Sequence, residues 1–205
     1  MPYLTTSVAA DECGISIDYM RDLIDAGLVP GTKKNGNRRQ APYSAVQAIA
    51  ALPAVDLSVF TAPEIAVLRV AQAEKPDPSE ASWPAPVRSW LGFHASLAPP
   101  DLLEALNRWW RGDSDRISAG TYLPVTVGSF CVAVLAGLTG AIPYGAGTER
   151  RQYFPNARLL GHAVDLASAK VHFAIGLSAQ DKAAAHAVLA RRLDSTSGGP
   201  IAYVP

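Results

Sequence analysis

The chain has 205 residues, enough to bury a sizeable core as one large domain or two small ones. Its 18 Lys and Arg balance 18 Asp and Glu, so no global basic field marks it for nucleic acid or a membrane surface. Two cysteines, Cys13 and Cys131, are too few for a disulfide scaffold and sit in apolar surroundings, as buried thiols of a reducing cytoplasm do.

The opening MPYLTTSVAADECG lacks the basic start and apolar core of a signal peptide. Thr6 or Ser7 is placed to cap a short helix over about residues 7–13, and Gly14 makes a turn. Ser16 can cap a second helix, in which Ile17, Met20, Leu23 and Ile24 recur at helical spacing as a core-facing stripe. Gly27 supplies its stop, because glycine takes the left-handed conformation that ends helices, and Pro30 prevents a return. Residues 32–39, TKKNGNRR, set four cations around Asn35-Gly36, a dipeptide suited to a two-residue hairpin turn. Those four are all but one of the cations in residues 1–52, and the five acids of that stretch precede them. Such segregation makes a positive patch without changing the total. Ser44 with Gln47 reads as a capping box for a third helix, whose Val46, Ile49 and Leu52 face inward. Two helices on a tight turn followed by a basic hairpin predict a winged helix-turn-helix, a device whose second helix enters the major groove.

GISIDYMRDLIDAGLVP, residues 14–30, resembles the core of MerR-type winged helices, which small excisionases and other phage regulators share. Gly14, Ser16, Met20, Arg21, Ala26, Gly27, Leu28 and Pro30 match the family's run without a gap. The hairpin, Tyr43-Ser44 and the aliphatic helix behind them extend the similarity over about a quarter of the chain. The resemblance implies double-stranded DNA as partner. Asp18 and Tyr19 depart from it, standing where members often carry a basic residue and a threonine. An aspartate repels phosphate but can accept from cytosine N4, so a base-reading Asp18 and one turned from the groove are both open. Nothing reads as the family's long dimerising coiled coil, so its dimer geometry and promoter untwisting are not implied. By role, Ser16 and the first turn behind it would meet phosphate at the positive helix end. Tyr19 and Arg21 would project outward to bases or backbone, and Lys33, Lys34, Asn37, Arg38 and Arg39 would straddle a backbone.

Further on, Thr61, Pro63 and Glu64 form a strong helix start, predicting a helix to about Glu74. Residues 79–86 read as a loop. Helices are expected from Val87 and over residues 101–111, where Leu102, Leu103, Leu106 and Trp110 space a buried face. Trp90, Trp109 and Trp110 read as core anchors. Strands are expected over residues 122–127, 130–138, 159–166 and 171–177. Ser178 caps a last helix to about Leu193, with Arg191-Arg192 at its negative end, and residues 201–204 add an edge strand. Residues 117–148 carry no charge but are broken by Pro124, Gly128, Gly137, Gly140 and Pro143, so no transmembrane helix is predicted. The glycine-rich, basic residues 145–152 read as a surface loop, with a second phosphate contact as the alternative.

The fold class expected is α+β: a winged helix-turn-helix in residues 1–55, a helical connecting region in 56–120, and an α+β domain with an antiparallel or mixed sheet in 121–205. His94, His162, His172 and His186 lack metal-site spacing, Asp165 and His172 could touch without a nucleophile beside them, and Ser129 in VGSF lacks the second glycine of a nucleophile elbow. No catalysis, metal or cofactor is therefore expected. The predicted function is a cytoplasmic, sequence-specific DNA-binding transcription regulator, a repressor of the phage-immunity kind. Its C-terminal part would serve homodimerisation, a small-molecule effector or a second DNA contact. The alternatives are an excisionase-like architectural protein and an interaction module whose winged helix has lost DNA binding.

Overall fold

The computed structural model describes residues 2–60, 62–83, 87–195 and 199–205. The fold is mixed α+β. The chain begins with β1 (Tyr3–Thr5), α1 (Thr6–Cys13) and α2 (Ile17–Asp25). Thr5, rather than Thr6 or Ser7, caps α1, and Ser16 caps α2 by accepting from Tyr19 N at 3.1 Å. α2 ends as the sequence dictates: Gly27 at φ +75° lets Gly27 N reach Ile24 O and Leu28 N reach Leu23 O, closing the helix carbonyls. Met20, Leu23 and Ile24 are buried, whereas Ile17 is 43 % exposed and leaves the expected core stripe.

The hairpin β2 (Lys33–Asn35) and β3 (Arg38–Pro42) pairs Asn35 with Arg38, so the central residues are Gly36 and Asn37, one place later than expected. β1 joins it in the order β1-β3-β2. α3 (Tyr43–Ala50) starts on Pro42 without a side-chain cap. The predicted capping box is absent because Gln47 Nε2 donates instead to Glu12 Oε2 at 2.7 Å, tying α3 to α1.

The region expected to be helical contributes a strand. β4 (Ile65–Val70) lies between β6 and β12, parallel to the first and antiparallel to the second. Its IAVLRV run is apolar and β-branched, and five of its six residues are buried. Glu64, cast as a capping residue, pairs with Arg116 at 2.5 Å, and its partner Thr61 lies outside the described residues. No helix follows Val87 either: Leu91 and Glu74 exchange backbone hydrogen bonds at 2.8 and 2.9 Å. Gly92, at φ +96°, is required there, since a Cβ would sit 2.6 Å from Gln72 O. The predicted loop at 79–86 contains a 3-10 turn (Pro78–Ser82), and its residues 84–86 lie outside the described residues. α4 (Pro99–Leu106) stops five residues short of expectation, and β5 (Arg108–Trp110) follows, its register broken at Trp109, whose φ is +64°. The unpredicted α5 (Ser114–Ala119) comes next, capped by Asp113.

β6 (Tyr122–Val127) and β7 (Phe130–Ala136) form the central hairpin, followed by β8 (Ile142–Tyr144), β9 (Arg151–Tyr153), β10 (Arg158–Asp165), β11 (Lys170–Phe173), α6 (Ala179–Val188) and β12 (Ile201–Val204). The large sheet runs β11-β10-β7-β6-β4-β12, mixed because only β4 and β6 are parallel, and a small antiparallel sheet runs β5-β9-β8. The uncharged 117–148 stretch thus contains the wholly buried strands β6 and β7, and no helix among the described residues is long and apolar enough to cross a membrane. α2 and α4 pack on one side of the sheet and α6 on the other. One apolar cluster is continuous from Ala10, Met20, Leu23 and Ile49 to Leu68, Val125 and Leu135. A second joins Val67, Cys131 and Val134 to Ala184, Ala185 and Val188.

Candidate nucleic-acid interface

α2 divides its faces sharply. Tyr19 does not project outward: its hydroxyl accepts from Arg69 Nη2 at 2.6 Å, and its Cβ closes on Gly128, the β6–β7 turn. Asp22 is half-buried on that side, and burial first, then Asp25, Asp18 and Glu74, raise its carboxyl pKa. Outward-facing are Ile17, Asp18 and Arg21, all near the helix start. The Asp18 and Arg21 side chains are 83 % and 52 % exposed and form an ion pair at 2.8 Å.

The hairpin cations are not equivalent. Asp25, at the end of α2, has a side chain only 7 % exposed and accepts from Arg39 Nε at 2.8 and 2.9 Å and from Lys34 Nζ at 2.7 Å. Burial alone would raise its pKa, but hydrogen bonds from Arg39 and Lys34, together with their charges, hold the carboxyl below its ordinary value. Lys33 Nζ lies 4.0 Å over the Tyr3 ring and keeps its charge at the surface, and Arg38 is exposed.

Between this hairpin and the first turns of α1 and α2 runs a groove of about 540 Å³. Arg21, Lys33, Arg38 and Arg39 line it without a single carboxylate, together with Ile17 and polar residues such as Thr5, Asn35 and Asn37. Five of the eight predicted contact residues meet there: Arg21, Lys33, Asn37, Arg38 and Arg39. Three do not. Ser16 spends its hydroxyl oxygen on the α2 cap, Tyr19 turns inward, and Lys34 is drawn to Asp25. Thr5, Ile17 and Gln40 line the groove unforeseen; the exposure of Ile17 conflicts with its place in the apolar period, so no sequence signal marked it.

The last cations of α6 were also misplaced. The helix ends at Val188, and Arg192 travels to the other end of the chain, where Nη1 donates to Cys13 O at 2.8 Å and Nη2 to Gly14 O at 3.2 Å. It satisfies the open carbonyls at the end of α1, where a cation also meets the negative end of the helix. In the 145–152 loop, Arg151 stacks over Trp83 and donates to Trp109 O, while Glu149 pairs with Arg111. The pocket near Arg111 and Arg150 is shared with Asp113 and Asp115, a mixed lining ill-suited to phosphate. Asp165 does not touch His172; it accepts from Ser168 Oγ and Ala167 N within its own turn. His172 instead meets His162, ring centroids 5.4 Å apart. Among the described residues no three His, Cys, Asp or Glu side chains are grouped to hold a metal. No protein-family model, curated protein or solved structure matches the chain.

Proposed function

We propose that residues 3–50 are a winged helix-turn-helix and that the protein is a duplex-DNA-binding transcription regulator acting as a repressor. The observation that carries this is the groove lined by Arg21, Lys33, Arg38 and Arg39, set between two helix starts and a hairpin, where Asp18 and Asp25 pair with Arg21 and Arg39 from outside the lining and Lys33 and Arg38 keep their charge for a ligand. Phosphate contacts of this kind supply the sequence-independent part of DNA affinity. The groove concentrates positive charge on a chain whose total is neutral, which is the local footprint a DNA-binding surface needs.

A second reading, an assembly module that no longer binds DNA, is favoured by the inward Tyr19 and the exposed Asp18. Retention of random-sequence duplex by the full chain separates them. Binding at about 50 mM salt that weakens steeply by about 200 mM supports the regulator. No retention at the lower salt refutes it.

A further inference from the structure

The outward surface of α2 is one helical turn, and its chemistry is restricted. Tyr19 and Asp22 are directed at the body, Asp25 is held by the hairpin, and Met20, Leu23 and Ile24 are core. That leaves Ile17, Asp18 and Arg21 as the side chains of α2 able to meet base edges. Asp18 and Arg21 are already joined at 2.8 Å, one turn apart, so they present a single unit carrying an acceptor beside a set of guanidinium donors. Their charges cancel, so the unit adds little to phosphate attraction, and its value lies in pattern.

A G·C pair displays the complementary pattern in the major groove: guanine O6 and N7 accept, and cytosine N4 donates. No other base pair offers both an arginine-type acceptor pair and an isolated amino donor in that arrangement. Ile17, 43 % exposed next to the unit, supplies an apolar contact for a thymine methyl.

We infer that Asp18 and Arg21 together read one G·C pair, Asp18 accepting from cytosine N4 and Arg21 donating to guanine O6 and N7, with Ile17 against a neighbouring thymine. This rests on the DNA-binding reading above. It makes the exposed aspartate a specificity element, and it confines the base footprint of α2 to one or two pairs. Replacing the G·C pair should weaken binding about tenfold or more, the usual discrimination of a direct base contact.

The test is selection from a random duplex library with the wild-type chain, Asp18→Ala, Arg21→Ala and Ile17→Ala. All three positions are surface-exposed, and thermal melting checks that each variant folds. The expected result is a wild-type motif containing an invariant G·C pair that Asp18→Ala and Arg21→Ala both lose, with Ile17→Ala relaxing an adjacent T. In direct titration, exchanging that pair for T·A should cost the wild type tenfold and leave the Asp18→Ala/Arg21→Ala double variant unaffected. A wild-type motif unchanged in the variants, or duplex retention without any motif, overturns the inference while DNA binding stands. No retention by any of the proteins overturns both.

Discussion

Arg38→Gln tests whether the groove contacts phosphate, because neighbouring cations differ in what already holds them. Arg39 is bound to Asp25 and Arg21 to Asp18, so of the four groove cations Lys33 and Arg38 keep their charge for a ligand. Each phosphate neutralised on B-form DNA contributes about −0.9 to the slope of log K against log salt, giving about −1.8 per protomer from two contacts. Raising salt fourfold, from about 50 to about 200 mM, then weakens binding roughly tenfold. Arg38→Gln should halve the slope to about −0.9 and reduce that loss to roughly threefold. Arg39→Gln, although one residue away, should leave the slope nearly intact and instead lower stability, since it strips a hydrogen-bonded partner from Asp25. Fluorescence anisotropy of a labelled duplex across the salt range reads both. The reasoning fails if Arg38→Gln leaves the slope unaltered, or if Arg39→Gln reduces it by the same amount.

Three further outcomes follow from the packing. Glu80 and Arg88 are both buried, joined by hydrogen bonds of 2.6 and 2.8 Å. Glu80→Gln should therefore cost about 3–5 kcal/mol in urea unfolding, and a loss under about 1 kcal/mol would show that the pair is hydrated. Asp25 has its folded pKa below its unfolded value, so its contribution is present above the ordinary carboxylate range and disappears as pH falls through the folded pKa. Between pH 7 and pH 3 the urea midpoint of the wild type should fall further than that of Asp25→Asn; parallel curves would remove Asp25 from the acid limb. Tyr19→Phe deletes the acceptor of the Arg69 hydrogen bond and should lower stability by about 1 kcal/mol while leaving the salt slope of DNA binding unchanged. A changed slope would place Tyr19 at the DNA after all.

The helices and the hairpin of residues 6–50 were legible because their signals are local, whereas β1 was missed because its partner is the distant β3. Ser16 caps the helix it precedes, Gly27 ends that helix, and a glycine near the middle of TKKNGNRR turns the hairpin. The strand at 65–70 was hidden because its pairing partners are β6 and β12, the latter more than 130 residues downstream. Buried on both faces, it lacks the alternation that marks a half-exposed strand, and Pro63-Glu64 just before it imitates a helix start. The site was legible to the same degree. Composition located the cations, but which were already engaged depended on Asp25, 14 positions before Arg39, and the inward turn of Tyr19 on Arg69, 50 positions after it. Distances of that kind leave no mark on sequence periodicity.

The Arg192 guanidinium holds the turn between α1 and α2, while the backbone on either side of it joins the β6–β7 hairpin: Cys131 N donates to Arg191 O at 2.9 Å and Leu193 N to Ser129 O at 2.8 Å. The turn that orients α2 is thereby keyed to the sheet instead of hanging from a tether. DNA readers on flexible tethers tolerate variable spacing between half-sites, since the tether absorbs the difference. The proposed regulator has no such slack: were two copies to bind together, the separation of their reading helices would be the separation of their sheets. One inserted base pair would then displace a half-site by about 3.4 Å along the duplex and by about a tenth of a turn around it, and the rigid pair would give up contacts on one side.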